Sequence, residues 1–176
     1  MLCERCGLHR TRRNIVVGRG DPGARVWFIG EAPGFKEDEK GLPFVGPAGQ
    51  ELNKALEFLG LGQGKYYITN LVRCRPVENG RNRPPTDEEK AVCGEYLLED
   101  LGKYNPGLVV ALGRHATFSL LGDIGPMTKN SGTLWDFGKH GKVFVMLHPA
   151  AILHNPDLRK RWADSLEKLK KVLPCI

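Results

Sequence analysis

The chain has 176 residues, 41% of them hydrophobic, and carries 26 Lys and Arg against 20 Asp and Glu, a net charge of +6. A chain of this length forms about one domain and buries roughly 70% of its unfolded surface, which excludes dominant disorder and dependence on disulfides. Its longest apolar runs, 108–112 and 143–147, fall far short of the ~20 residues of a membrane span, the N-terminal segment has no apolar signal core and no repeat recurs, so a cytoplasmic protein without a membrane partner is expected.

The predicted elements alternate between short apolar strands and longer amphipathic helices. Residues 26–29, Val-Trp-Phe-Ile, read as a buried strand broken at Gly30. Residues 47–59 read as a helix, because Pro47 suits the first helical position and Leu52, Leu56 and Leu59 share one face. A second strand is expected over 66–69. Residues 75–85, rich in Arg, Pro, Asn and Gly, read as a loop. Thr86-Asp87-Glu88-Glu89 is a capping box opening a helix that stops near Asn105-Pro106. A third strand follows over 108–112, then a short helix over 114–121, a turn-rich loop or hairpin, a fourth strand over 143–147 and a last helix over 157–172. This order predicts a single α/β domain with a central, mostly parallel four-stranded sheet flanked by helices on both faces.

In such a sheet ligands bind beyond the carboxyl ends of the strands. Those ends fall at Gly30-Glu31, Asn70, Gly113-Arg114 and His148-Pro149, so a Glu, an Asn and a His converge on one edge. A single strand-end His is ordinarily a hydrogen-bonded structural residue; three polar ends together point to a site. Gly30-Glu31-Ala32-Pro33-Gly34 can present backbone N–H groups to an anion or a carbonyl, yet it is not a dinucleotide fingerprint. Phe44 lies in a Gly/Pro loop, either as a core plug or as a stacking face for a flat ligand.

Cys3-x-x-Cys6 has a metal-chelating spacing, and Cys74 and Cys93 complete a possible four-thiolate set, serving either zinc or an iron–sulfur cluster. The alternative is that Cys74 and Cys93 are buried core cysteines. Cys175 is left over as a tail thiol. Charge is uneven: residues 1–25 and 159–171 are basic, whereas 31–57 are acidic. Basic ends suit a polyanionic partner or a solvated surface.

In chain order, GEAPG followed by Glu37-Asp38, PFVGPAG, YYITN ending at Asn70, and HPAA at 148–151 resemble the motifs of the family-4, iron–sulfur class of uracil-DNA glycosylases. The likeness runs from Cys3 to about Asn155. It implies hydrolysis of the N-glycosidic bond of deoxyuridine in single- and double-stranded DNA by a monomeric, monofunctional enzyme of base excision repair. It also implies that Cys3, Cys6, Cys74 and Cys93 hold a structural [4Fe–4S] cluster, which ties the N-terminal segment and the 75–85 region to the domain.

The same resemblance implies residue roles. Phe44 would stack on the flipped base, and Asn70 would read its edge, accepting from N3–H and donating to O4. Cytosine presents the opposite pattern and would be rejected. His148 would donate to O2 as charge grows on the departing uracil, assisted by backbone N–H groups around Gly30, Glu31 and Ala32. The best-known uracil glycosylases position their water with an Asp in the first motif. Ala32 occupies that place here, so neighbouring Glu31 becomes the candidate to orient water and stabilise the sugar cation. Glu37 would approach C5 and exclude the thymine methyl, unless 37–39 is simply a solvated acidic turn. Arg75, Arg81 and Arg83 would contact DNA, and Ile152 or Leu153 would wedge into the gap left by the flipped base, unless they begin a helical core face. Competing readings are a superfamily member acting on another deaminated base, a non-catalytic zinc-containing nucleic-acid module, and a hydrolase of free nucleotides.

Overall fold

The computed structural model describes residues 3–176. Its sheet is centred on two strands buried along their whole length, β2 (Val26–Gly30) and β6 (Leu108–Leu112). β3 (Tyr67–Asn70) lies beside β2, and β8 (Lys142–Met146) beside β6; all four run parallel. Two edge strands complete the order β1-β3-β2-β6-β8-β7: β1 (Arg19–Gly20) and β7 (Thr133–Asp136), each antiparallel to its neighbour. The expected four-stranded parallel sheet is therefore the core of a six-stranded one. β1 has two residues and β7 is mostly exposed, so neither carries the apolar run by which a buried strand is recognised.

Alternation along the strands divides the core into two layers. Phe28, Ile68, Val110 and Phe144 face α2 (Pro47–Phe58), α6 (Pro149–His154) and α7 (Arg159–Val172), through Leu52, Leu56, Ile152, Trp162 and Leu169. Trp27, Ile29, Val109 and Val145 face the other way, onto Leu97 and Leu101 of α3 (Asp87–Tyr104) and Ala116 of α4 (Arg114–Leu121). Leu8 joins that second layer. The capping box at Thr86 and Glu89 forms in both directions.

Three local readings change. The 75–85 stretch contains a hairpin, β4 (Val77–Glu78) and β5 (Arg81–Asn82). Its turn residues Asn79 and Gly80 both have positive φ, 50° and 75°, as a two-residue Asn-Gly hairpin turn requires. Residues 37–39 are part of a short helix, α1 (Phe35–Lys40), and Asp38 is only 2% exposed. Its carboxylate accepts from the backbone N–H groups of Arg13 and Asn14, 2.9 and 3.2 Å, so it anchors the N-terminal segment. The last helix begins at Arg159, after a 3-10 turn over Pro156–Leu158. A four-residue helix, α5 (Met127–Asn130), precedes β7. No helix is long and apolar enough to cross a membrane.

Candidate functional site

The parallel strands leave β2 with β3 on one side and β6 on the other, the switch point beside which open α/β sheets place ligands. A pocket of about 250 Å³ opens there, lined by Ala32, Gly34, Glu37, Phe44, Ala48, Asn70, Asn82, His148 and Ala150. Gly30 is required by close approach: a Cβ would fall 2.5 Å from Asn70 Oδ1 and 2.7 Å from Phe44 Cζ.

Asn70 ends β3 and forms the deep wall, 2% exposed. Its carboxamide lines the pocket. Phe44 has φ 54°, a left-handed conformation that costs a bulky residue of order 1–3 kcal/mol and clusters at functional sites. Its ring stands 5.6 Å from the His148 ring, centre to centre, at 33°.

His148 is the N-cap of α6, and its Nδ1 accepts from the Ala150 N–H at 3.1 Å. That bond places the proton of the neutral imidazole on Nε2. Burial pushes the imidazole down to about 4, opposed by the Glu37 charge, so the ring is neutral at pH 7. Glu37 Oε1 accepts from Val45 and Gly46 N–H at 2.9 and 2.8 Å, which leaves its Oε2 uncommitted.

Glu31 is not brought to this pocket. Its Oε1 lies 3.8 Å from Nε2 of His115, at the start of α4, and is buried without a hydrogen bond. Burial raises its carboxyl, while the His115 and Lys90 charges lower it. The strand edge positioned the residue correctly, but not the direction of its side chain.

Cys3, Cys6, Cys74 and Cys93 line a second, largely enclosed cavity with Arg5, Arg12, Arg73 and Tyr96. Three of the four sulfurs accept a hydrogen bond: Cys74 from Arg12, Cys3 from the Tyr96 hydroxyl and Cys93 from the Arg73 N–H, at 3.3–3.5 Å. Burial pushes the Cys74 and Cys93 thiols up. Among the described residues no three donors converge closely enough to hold one ion; the thiols surround a space instead. Cys175 is exposed and apart from them.

A model of the uracil DNA glycosylase superfamily matches residues 17–170. The chain is 40% identical to a type-4 uracil-DNA glycosylase of Archaeoglobus fulgidus, over 96% of this chain and 87% of the relative. Its identity to a type-4 uracil-DNA glycosylase of Thermotoga maritima is also 40%, over 97% and 89%. A type-5 uracil-DNA glycosylase of Pyrobaculum aerophilum is 36% identical over 76% of this chain and 64% of the relative. The chain belongs to the type-4 uracil-DNA glycosylases.

Against that family, the outer expectations divide. Ile152 is 1% exposed within the core and cannot act as a DNA wedge, whereas Leu153, next to it in α6, is 37% exposed. The difference is which face of α6 each occupies. Arg81 is exposed. Arg83 is gripped by both carboxylate oxygens of Glu89, at 2.7 and 2.6 Å, and so braces the start of α3 before it can serve DNA. Arg75 binds Asn82 Oδ1 at 2.6 Å and stacks on Phe35. Asn82 was missed from sequence; the signal was the Asn-Gly turn that makes the hairpin delivering it.

Proposed function

We propose that this glycosylase hydrolyses the N-glycosidic bond of deoxyuridine in DNA, releasing uracil and leaving an abasic site. The observation that carries the reading is the convergence of Phe44, Asn70 and His148 on one pocket, with His148 held as an Nε2–H donor. A base flipped from the stack, at a cost of a few kcal/mol, lies against Phe44 and meets Asn70 at the floor. Asn70 accepts from N3–H and donates to O4; with cytosine both contacts invert and leave buried polar groups unpaired. As the C1′–N1 bond breaks, its electron pair leaves with uracil and collects at O2. His148 Nε2–H stabilises that charge, a contribution of about 10²–10³ in rate for one preorganised donor. Glu37 stands at the pocket wall where a thymine methyl would enter.

Arg81 and the basic ends are the DNA-facing charges, and Leu153 is the wedge. Glu31, with its carboxylate on His115, acts on the sugar at most through its charge. The Cys3, Cys6, Cys74 and Cys93 set would hold a four-iron cluster. Thiols spread around an enclosed space and surrounded by guanidinium groups suit a large anionic group better than zinc, which needs every sulfur at about 2.3 Å. The cluster would supply structural cross-linking only, joining the N-terminal segment to β3's end and α3.

The test is excision from end-labelled oligonucleotides carrying one uracil, single-stranded or opposite G or A, with thymine and cytosine controls and alkali to reveal abasic sites. Strand breaks that depend on uracil are expected. Equal cleavage of thymine or cytosine strands, or no cleavage by iron-loaded protein, would overturn the reading.

A further inference from the structure

Phe44 stands in the pocket with a φ of 54°, and a bulky residue keeps that conformation only where its surroundings over-determine it. Two peptide planes meet at its Cα. The plane before it carries the Pro43 carbonyl, and its orientation sets φ. The plane after it carries the Val45 N–H, and its orientation sets ψ. Both are pinned by side chains. Arg19 Nε–H donates to the Pro43 carbonyl at 3.0 Å, and the Val45 N–H donates to Glu37 Oε1 at 2.9 Å. Glu37 comes from α1, whereas Arg19 comes from β1, the two-residue edge strand on the outer side of β3. Arg19 is itself held: its Nη2–H donates to Asn53 Oδ1 of α2 at 2.6 Å, and its guanidinium lies 6.0 Å from the centre of the Tyr66 ring. On the other side of the loop, a Cβ on Gly49 would fall 1.8 Å from the Phe44 carbonyl oxygen. α2 and the loop are in backbone contact there, so the loop cannot give way toward the helix.

We propose that Arg19 is a positioning residue for uracil recognition: by fixing the Pro43–Phe44 peptide it holds the Phe44 ring at the angle on which the flipped base stacks. Arg19 does not touch the base and acts on Phe44 through one carbonyl. Without that donor the Pro43–Phe44 peptide is free to rotate, and Phe44 returns toward the negative φ that a bulky residue prefers. A change of φ there moves the ring relative to Asn70 and His148. The stacking face is then lost while the hydrogen-bonding groups stay in place. The inference rests on reading this pocket as the one that takes the flipped base. It also gives the short edge strand a use, since the pairing of Arg19 with Ile68 and of Gly20 with Tyr67 is what brings the guanidinium alongside the loop.

The experiment compares the wild type with Arg19→Met, which keeps the apolar stem and removes the donors. Three quantities are read: the single-turnover excision rate, affinity for DNA carrying 2′-fluorodeoxyuridine, whose glycosidic bond resists cleavage, and affinity for DNA carrying an abasic-site analogue. Arg19→Met is expected to lower both the rate and the 2′-fluorodeoxyuridine affinity by about tenfold, the order of one aromatic–base stack, with abasic-site affinity unchanged. Phe44→Ala is expected to show the same split. Arg19→Met is expected to add nothing in the Phe44→Ala background, the signature of action through Phe44; a general loss of folding lowers all three readings and does not vanish there. If Arg19→Met does not fold, Asn53→Ala decides. Asn53 is exposed, its loss leaves Arg19 present but unheld, and the same split and the same masking by Phe44→Ala are expected. The proposal is overturned by a rate within about twofold of wild type in the deciding variant, by additive losses in its double variant with Phe44→Ala, or by equal losses in both affinities, which would make Arg19 a DNA contact. If Phe44→Ala itself excises uracil at the wild-type rate, the pocket reading fails; if Phe44→Ala alone is impaired, the pocket stands and the role of Arg19 falls.

Discussion

His148 is a neutral imidazole, because the Ala150 N–H occupies Nδ1 and burial disfavours a charged ring; in the reaction proposed above it donates through Nε2. His148→Ala is expected to lower single-turnover excision by about 10²-fold with little loss of DNA binding, measured by quench and by titration of an abasic-site analogue. The same burial sets a pH dependence. An unfolded His titrates near 6.5 and the folded one at about 4, so between those values the unfolded chain binds a proton that the folded chain does not. Stability therefore falls as pH drops through that window and is fully present above it. Thermal melts from pH 4 to 8 should show this slope, and His148→Gln should flatten it. At the pocket floor, Asn70→Asp is expected to shift preference toward cytosine, since a carboxylate cannot donate to O4; competition between uracil and cytosine substrates measures it.

The hairpin β4–β5 and helix α6 each turn one sequence ambiguity into a division of labour. In the hairpin, Asn82 lines the pocket and accepts from Arg75, while Arg83 closes on Glu89. Glu89 is also the acceptor for the Thr86 N–H, so the hairpin's exit strand and α3's first turn are one unit. Thr86→Ala removes the cap and is expected to cost about 1 kcal/mol in denaturant melts. In α6, Ile152 packs inward and Leu153 outward. Ile152→Ala is expected to cost about 2–5 kcal/mol of stability. Leu153→Ala should instead slow excision from duplex uracil far more than from single strands, because only a duplex leaves a gap to fill; parallel assays on both substrates decide it.

For the molecule as a whole, a net charge of +6 favours a polyanion at long range, but the cations are not equivalent. Arg5 and Arg73 are paired with Glu95 and Asp100, and Arg12 donates to Cys74. These surround the thiol cavity and stay with it. Exposed Arg81 is open to phosphate. Binding to an abasic-site analogue should weaken linearly in log–log coordinates with salt, and Arg81→Ala should reduce that slope by about 0.9. An equal slope in the variant would remove Arg81 from the interface.

By itself the sequence determined the buried strands, the major helices, the polar strand ends at Asn70 and His148, the four cysteines and the family. These signals are local: apolar periodicity, caps and short motifs are written in adjacent residues and survive any arrangement of the rest. Only the tertiary structure decided where the side chains point. Glu31 meets His115 across 84 positions of chain, Asp38 is buried by Arg13 and Asn14, Arg83 is taken by Glu89, and Asn82 reaches a pocket whose other walls come from the segment after β2, from α1, α2 and the end of β3, and from the start of α6. The short edge strands belong with them, since two residues pair only because β3 offers an edge. Side-chain direction depends on which distant charges and donors the topology brings near, and no local pattern encodes that.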